Sequence, residues 1–259
     1  MSGATWDVEQ YERYKTYRDR PALDLMVQIP ADLTPGEIWD LGCGVGEHAA
    51  LLAKRHPNAR VHGLDSSPAM LKAARERNAE IDWVQADIDG FAPDTPPDLI
   101  FTNAALQWVR GHETLFPRLV STLEPGGVFA CQMPVTWPER WHAELRDLAK
   151  TPRWSSSLEG LRDVQPVAPA EDYWRWLSPL ADVDVWKTRY LHVLSGEDPV
   201  LDWMMGTGLR PYLARLEDRA ERDAFLAEYA ALMRAAFPKQ ADGSTLFDFP
   251  RIFIVARKR

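Results

Sequence analysis

Residues 37–56 read EIWDLGCGVGEHAALLAKRH, and this stretch decides the fold. An apolar run ends in an aspartate, three glycines follow at alternate positions, and an alanine- and leucine-rich helical pattern begins at once. α/β proteins hold nucleotide-like ligands where a strand runs into a glycine loop and then a helix, because the first amides of that helix can receive polar ligand groups. The stretch therefore predicts an α/β protein with a ligand at the edge of its sheet.

Strand and helix patterns alternate along the rest of the chain. A helix is predicted over 66–78, capped by Ser66 or Ser67, and another from about His112 to Leu123. Strands separated by helices of this length indicate a parallel sheet. The strand patterns are IWDL (38–41), RVHGLD (60–65), IDWVQAD (81–87), DLIFTNA (98–104), GVFACQM (127–133), VDVWKTRYLHVL (183–194) and RIFIVARKR (251–259). They predict a seven-stranded, mostly parallel, doubly wound sheet.

Segments outside this alternation predict a helical cap over the carboxyl edge of the sheet. The N-terminal part combines an amphipathic lid with a helix begun by Pro21, a residue suited to a first turn. The predicted units are a lid and first helix (1–30), a ligand-binding core (31–134), a cap segment (135–181) and the last two strands (182–259) with a helical cap insertion (197–245).

The composition, with 46% hydrophobic and 26% charged residues, is that of a soluble globular protein. No apolar run approaches the roughly 18 to 20 residues that cross a bilayer, and the polar N-terminus lacks the apolar stretch of a signal peptide. A net charge of -8 argues against a nucleic-acid partner, because phosphate binding needs clustered Lys and Arg. We expect a cytoplasmic protein without a membrane partner, monomeric or weakly homo-oligomeric, with Cys43 and Cys131 reduced.

The glycine loop alone is open to more than one interpretation. Gly42, Gly44 and Gly46 permit positive φ and close ligand approach, yet a tight turn without a ligand uses glycines in the same way. The dinucleotide fingerprint of an NAD-linked oxidoreductase places its third glycine one position later, where this chain has Glu47. The choice between ligands therefore depends on other residues at the same edge.

Acidic residues follow the next two strands. Asp65 ends the second strand, where a carboxylate can accept both hydroxyls of a ribose. Asp87 ends the third strand pattern, and Ile88 could act as an apolar plate for a base. Each acid taken singly could be a solvated loop residue. Three elements at the carboxyl ends of three successive strands favour a single nucleoside ligand.

Taken as a set, five motifs resemble the class I S-adenosylmethionine-dependent methyltransferases. They are DLGCGVG (40–46), GLD (63–65), QADI (85–88), DLIFTNAALQWV (98–109) and LEPGGVF (123–129). The resemblance implies a Rossmann-like sheet whose last strand is antiparallel, with S-adenosylmethionine as cofactor and S-adenosyl-L-homocysteine as product. It also implies that the glycine loop faces the methionine part, Asp65 the ribose and Asp87 the adenine amino group. The predicted cofactor-binding residues are Asp40, Gly42, Gly44, Gly46, Asp65, Ser66, Asp87, Ile88 and Asn103.

The flanking segments narrow the resemblance to methyltransferases that esterify small acids. They are WDVEQYERYKTYRDRPALDL (6–25), NAALQWV (103–109), CQMP (131–134), GTGLRPYL (206–213) and DGSTLFDFPRIFIVARKR (242–259). The implied substrate is a small polycarboxylic acid, methylated on a carboxylate. A carboxylate is already ionised at pH 7, so neither a general base nor any other catalytic residue is predicted. The six histidines show no metal-ligand spacing, and no metal is expected.

Arginine suits such an acceptor because its donors pair bidentately with a carboxylate. Arg210, with Tyr212 nearby, is the first candidate, and Arg18 and Arg20 on the lid come next. The alternatives are that Arg210 covers a helix end and that the lid arginines lie on a solvated face. Trp108 could shield a cationic sulfonium with its indole face, or it could be a core residue. Three further tryptophans are expected to pack inside the cap: Trp174, Trp176 and Trp203.

Other functions remain open from the sequence. The enzyme could methylate another small acid or an acid bound to a carrier protein. Its net charge of -8 offers no evident docking site for a carrier that is itself acidic. Glu47 and the Asp87 motif disfavour an NAD-linked oxidoreductase. A non-catalytic module would bind the cofactor without forming an ester.

Overall fold

A computed structural model describes residues 15–161 and 167–259, without the side chains of Lys15, Thr16 and Arg18. The strands are β1 (Glu37–Leu41), β2 (Arg60–Asp65), β3 (Asp82–Gln85), β4 (Leu99–Asn103), β5 (Val128–Pro134), β6 (Ala181–Leu194) and β7 (Thr245–Lys258). The helices are α1 (Lys15–Val27), α2 (Glu47–Arg55), α3 (Pro68–Arg77), α4 (His112–Thr122), α5 (Arg140–Ala149), α6 (Ala170–Leu177), α7 (Pro199–Met205), α8 (Arg210–Arg215) and α9 (Arg219–Ala236). Single 3₁₀ turns span Ile88–Gly90 and Leu106–Trp108.

The strands form one sheet in the order β3-β2-β1-β4-β5-β7-β6. Neighbours from β3 to β5 pair in parallel, whereas β7 pairs antiparallel with both β5 and β6. The strand order reverses between β1 and β4, and open α/β sheets bind ligands outside the carboxyl ends of their strands at such a reversal. The predicted seven-stranded, mostly parallel sheet with an antiparallel last strand is confirmed.

Apolar side chains cover both faces of the sheet. Ile38 and Phe101 point to the face that α1 and α2 cover, while Leu41 and Ile100 point to the face that α4 and α6 cover. All four are fully buried, and burying an aliphatic or phenyl side chain contributes about 1.5–3 kcal/mol. Burial on both faces explains why these strands are nearly continuous apolar runs in the sequence.

A third apolar cluster, the cap cluster, joins α5, α7, α8 and α9. β7 is longer than its sequence pattern predicts, because it begins at Thr245 instead of Arg251. Residues 245–250 pair with β6 beyond the point where β5 ends. From this extension Phe247 and Phe249 pack into the cap cluster, and they join the cap to the sheet.

Two helices differ from the sequence-based prediction. α1 begins before Pro21, so this proline lies inside the helix and not at its first turn. The turn before Pro21 is held by a tertiary contact, since the Tyr17 hydroxyl donates to the carbonyl oxygen of Val193 (2.6 Å). α6 lies on the sheet beside α4, where Tyr173 contacts Phe116, although its residues fall in the predicted cap segment.

The tryptophans divide between cap, core and surface. Trp203 is buried in the cap cluster, as predicted. Trp176 packs on the core and Trp174 is 54% exposed, so the prediction that this pair packs inside the cap is wrong. α6 turns Tyr173 and Leu177 toward the sheet and leaves Trp174 on its outer face.

Candidate active site

The glycine loop between β1 and α2 adopts the predicted positive φ at each glycine, with values of 74° at Gly42, 55° at Gly44 and 80° at Gly46. A Cβ on Gly42 would lie 2.3 Å from the Cβ of Ala105, and one on Gly46 would lie 2.2 Å from the Trp83 indole. A Cβ on Gly44 would meet nothing within 4 Å. The outer glycines are therefore required by protein packing, while the middle one leaves open space at the edge of the sheet.

Asp65 at the end of β2 is bonded to this loop. Its carboxylate accepts from the Gly44 amide (2.9 Å) and from the Ser67 amide (2.8 Å). Of the two serines that could cap α3, Ser67 does so, whereas Ser66 is exposed beside Asp65. Each carboxylate oxygen keeps a second lone pair, so two amides orient the group and leave it able to accept from a ligand.

Asp87 lies next to Asp65 along the same rim. The Ala86 amide donates to the backbone carbonyl of Asp65 (3.3 Å), and Asp87 follows as an exposed residue. The prediction that Asp87 ends β3 is wrong, because β3 stops earlier and Asp87 precedes the 3₁₀ turn. Ile88 Cδ1 lies 3.8 Å from where a Gly42 Cβ would be. The loop, Asp65 and the Asp87 segment therefore meet at one rim.

Two buried acceptor atoms lie near the carboxyl ends of the adjacent strands β1 and β4. They are Asp40 Oδ2 and Asn103 Oδ1, and neither accepts a hydrogen bond from the part of the chain that the structure describes. A buried acceptor left without a donor costs about 1–3 kcal/mol. A cation with N–H donors would relieve that cost, and the ammonium group of S-adenosylmethionine is such a cation. The residues present therefore fit this cofactor.

Cofactor binding is expected to release a proton from Asp40. Burial, and after it the negative charge of Asp65, raise the pKa of Asp40 to about 8, so the carboxyl of the free protein is mostly protonated at pH 7. A cation bound beside it favours the ionised form. Affinity for S-adenosylmethionine should therefore rise as the pH increases toward 8 and level off above it.

Calorimetry at pH 7 in buffers of different ionisation enthalpy measures this proton. Asp40→Asn should remove both the proton release and the pH dependence, while a buffer-independent heat in the wild type would contradict the expectation. Without cofactor, the raised pKa means that the folded state keeps a proton that the unfolded state loses above the ordinary aspartate pKa of 3.8. The contribution of Asp40 to stability is therefore lost as the pH rises from that value through about 8.

Beyond β4 the chain turns sharply and places Trp108 at the surface. Ala104 has φ of 53°, a left-handed conformation that is uncommon for a residue other than glycine. The turn is held by the Ala104 amide, which donates to the Gln132 carbonyl (2.9 Å), and by Gln107, whose amide donates to the Ala104 carbonyl (2.6 Å). Trp108 is 43% exposed, so the core-packing interpretation is wrong for it.

The structure puts the predicted acceptor-binding residues in different places. Arg20 lies on α1 beside β6, with its guanidinium carbon 5.3 Å from the centre of the Tyr190 ring. Arg210 is half-buried at the start of α8, and Tyr212 is stacked within the cap cluster. The side chain of Arg18 lies outside the described residues. These contacts bring Arg20 to the β6 side of the sheet and leave Arg210 and Tyr212 in the cap.

Two buried polar residues near this edge were missed by sequence reasoning. Gln132 on β5 is fully buried and Arg251 on β7 is 4% exposed, and the arginine Nη1 donates to the glutamine Oε1 (3.1 Å). The sequence does carry a signal, a single arginine inside the apolar run FPRIFIV. Arginine is almost never fully buried unless it is paired, so its position in such a run indicates a specific role.

The described residues, 15–161 and 167–259, provide neither a metal site nor a membrane-spanning helix. That part of the chain contains no group of three or more histidine, cysteine or carboxylate side chains placed to hold a metal ion. Its helices include none that is long and apolar enough to span a membrane. Cys43 and Cys131 are buried free thiols, as predicted.

The arrangement as a whole, a glycine loop at the reversal point with carboxylates after the next strands, is that of a nucleoside-binding α/β enzyme. A family model described as a methyltransferase domain matches residues 38–127. The solved YcgJ protein from Bacillus subtilis shares the fold with a TM-score of 0.59 and 15% identity, over 93% of this chain and 99% of that one. The chain is an S-adenosylmethionine-dependent methyltransferase.

Two relatives identify the family within this class. The chain is 47% identical over 265 residues to the trans-aconitate 2-methyltransferase of Streptomyces coelicolor, covering 98% of this chain and 87% of the relative. It is 44% identical over 254 residues to the trans-aconitate 2-methyltransferase of an Azoarcus species, covering 97% and 98%. The chain belongs to the trans-aconitate 2-methyltransferase family. This confirms the resemblance of the flanking segments, and the oxidoreductase and non-catalytic interpretations are wrong.

Proposed function

We propose that this enzyme methylates a carboxylate of trans-aconitate, giving a methyl ester and S-adenosylhomocysteine. The observation that supports this acceptor is identity of 47% and 44% to enzymes named for it, extending through the lid, the cap and β7. A likeness limited to the 38–127 segment would support the cofactor and leave the acceptor open.

The reaction requires the protein mainly to position the acid relative to the methyl donor. S-adenosylmethionine supplies a methyl carbon to which a carboxylate oxygen bonds, while the electron pair of the broken carbon–sulfur bond stays on sulfur. The attacking carboxylate is ionised at neutral pH, so no side chain has to remove a proton. Holding two reactants in line can supply about 7–11 kcal/mol in favourable cases. The role of this chain is to orient the acid and exclude water.

In this proposal, each residue at the rim binds a different part of the cofactor. Gly44 leaves room for the methionine part of the cofactor. The side-chain oxygens of Asp40 and Asn103 accept hydrogen bonds from its ammonium group. Asp65, oriented by two amides, accepts from the ribose hydroxyls. Asp87 and Ile88, one strand further along, would hold the base, and Ser66 lies beside Asp65. The exposed indole of Trp108, which follows β4, would shield the sulfonium.

Arg210→Met is expected to weaken acceptor binding while leaving the cofactor almost unaffected. A hydrogen-bonded charge contributes about 1.5–3 kcal/mol, so the KM for the acid should rise roughly 10- to 100-fold. Steady-state kinetics and calorimetric titration with the cofactor measure the two effects. Arg215→Met is the matched control, because Arg215 lies on the same helix and bonds to the Glu159 carbonyl. Equal loss of both affinities would place the acceptor pocket elsewhere.

A competition assay tests the function itself. Purified protein with methyl-labelled S-adenosylmethionine is given an equimolar mixture of trans-aconitate, cis-aconitate, citrate and a monocarboxylic acid, and methyl esters are detected by mass. The trans-aconitate ester should dominate. A preference for another acid would favour the alternative acceptor, and no ester from any of them would overturn the proposal or point to a carrier-bound acid.

A further inference from the structure

Gln132 is a buried amide on β5 whose oxygen and nitrogen can be told apart. The Arg251 Nη1 donates to Gln132 Oε1 (3.1 Å), and the glutamine is 0% exposed. Because a guanidinium has donors and no acceptor, the atom that faces it must be the amide oxygen. The Nε2 group is therefore a donor that lies on the side of the amide away from Arg251.

This Nε2 group is buried, and it donates to no atom of the residues that the structure describes. Buried polar groups in native proteins are nearly always hydrogen-bonded, so an exception requires an explanation. A buried N–H donor near the edge where the cofactor binds is complementary to an oxygen atom of the second substrate.

The strand register puts this donor beside the proposed cofactor site. Gln132 is the register partner of Asn103 on β4, whose Oδ1 is a buried acceptor that receives no hydrogen bond from the described residues. Partners in a parallel pair point to the same face, and neighbouring strands are about 4.8 Å apart. An acceptor for the ammonium group of the cofactor and a donor for the acid therefore lie side by side.

The backbone of Gln132 is also held in place. Its carbonyl accepts from the Ala104 amide (2.9 Å), in the left-handed turn that directly follows Asn103. The bond from Arg251 fixes the side-chain end of the residue. A donor that is immobilised at both ends can orient a substrate without first having to be reoriented itself.

We propose that Gln132 Nε2 donates to the carboxylate oxygen of the acceptor that does not attack, and so directs the other oxygen at the methyl carbon. The inference rests on the proposed function, because it assumes a carboxylate as the methyl acceptor. The attacking oxygen forms the bond to carbon, and the electron pair of the broken carbon–sulfur bond stays on sulfur. The oxygen bonded to Gln132 becomes the carbonyl oxygen of the ester.

A neutral donor suits the reacting carboxylate better than a cation does. The carboxylate loses its negative charge as the ester forms, so a cation bound to it stabilises the ground state more than the transition state. A neutral amide N–H binds the charge less strongly than a cation, and it therefore orients the carboxylate with a smaller loss of reactivity. Arginine side chains are better suited to a carboxylate that does not react.

Gln132→Glu is the most direct test, because it keeps the shape of the side chain and the oxygen that accepts from Arg251. It replaces the donor with a second acceptor and places a negative charge against the acid. We expect kcat/KM for trans-aconitate to fall roughly 10- to 100-fold, or more. The Kd for S-adenosylmethionine should not increase, because the added charge is opposite to that of the cofactor. In the presence of S-adenosylhomocysteine, trans-aconitate should raise the Tm of the wild type and not that of the variant.

Gln132→Met measures the loss of the donor without an added charge. It should lower kcat/KM for the acid roughly tenfold and leave the Kd for S-adenosylmethionine within about twofold. Cys131→Ala is the matched control, since Cys131 is the fully buried neighbour on β5 and packs on the opposite face of the sheet. It should lower the Tm and leave kcat/KM within about twofold at a temperature well below the Tm.

Two results would overturn the inference. One is a kcat/KM for Gln132→Glu within about threefold of the wild-type value, since the donor would then have no contact with the acceptor. The other is a pair of Gln132 variants that behave like Cys131→Ala, with a lower Tm and unchanged kinetics. Failure of the proposed function would be seen differently, as a wild-type enzyme that forms no ester from any acid, and it would overturn this inference as well.

Discussion

Gly42→Ala is expected to lower both the stability of the fold and its affinity for S-adenosylmethionine. The new Cβ would lie 2.3 Å from the Cβ of Ala105, and the residue would have to keep φ of 74°. A left-handed backbone costs an alanine about 1–2 kcal/mol, and overpacking adds roughly 1–3 kcal/mol. The sum corresponds to a fall of roughly 5–15 °C in Tm. Affinity should drop by roughly tenfold or more, because Ala105 and Ile88 both lie against this glycine.

Alanine variants at two other glycines distinguish the cost of the left-handed backbone from the cost of the steric clash. Gly126 has φ of 81°, and a Cβ there would meet nothing within 4 Å, so Gly126→Ala has the backbone cost alone. It lies in the turn before β5, at the end of that strand opposite the rim, and cofactor affinity should not change. Gly44→Ala also has no steric clash with the protein but occupies the open space at the rim. It should cost less stability than Gly42→Ala and still weaken the cofactor. Equal stability losses at the three positions would contradict the packing account.

Asp65→Ala is expected to have the largest effect on cofactor affinity, with little change in how the variant recognises the acid. The substitution removes the proposed acceptor for the ribose hydroxyls and also frees the Gly44 and Ser67 amides that the carboxylate holds. Hydrogen bonds to a charged group contribute about 1.5–3 kcal/mol each, so a loss of roughly 100- to 1000-fold in Kd is expected. Calorimetric titration with S-adenosylmethionine measures it.

Asp89→Ala is the charge-matched control for this prediction. Asp89 is an exposed carboxylate on the same rim, in the 3₁₀ turn after Asp87, and its removal changes the net charge equally. If the control lost as much affinity as Asp65→Ala, the effect would be one of overall charge. Asp65→Asn keeps an oxygen for one amide and should lose less affinity than the alanine variant. Similar losses in the two Asp65 variants would show that affinity depends on the full carboxylate and not on one accepting oxygen.

The sequence predicts those parts of the site in which the conformation of a few residues requires a particular residue type. Gly42, Gly44 and Gly46 all have positive φ, as expected from glycines at the end of an apolar run. Asp65 is the last residue of its strand, so the topology of a parallel sheet is enough to bring it to the rim. The helix predicted from His112 is also found, because its apolar spacing matches one buried face.

Residues that depend on long-range register could not be located in this way. Arg251 and Gln132 are far apart in the chain, and their contact exists because β7 returns antiparallel beside β5. Local preference places Pro21 at the start of a helix, whereas α1 begins earlier and Tyr17, in its first turns, is bonded to β6. The exposure of Trp108 depends on the left-handed turn at Ala104, which local preferences disfavour.

The sequence by itself determined the sheet, the glycine loop and the class of cofactor, because alternating apolar patterns and glycine positions act over a few residues and leave few possible topologies. Tertiary structure alone decided which buried polar atoms lie together, how the β6–β7 extension supports the cap, and which of the predicted arginines lies beside the sheet and which in the cap. Those outcomes depend on strand register and on packing between distant segments, where a shift of one residue would reverse which face a side chain occupies.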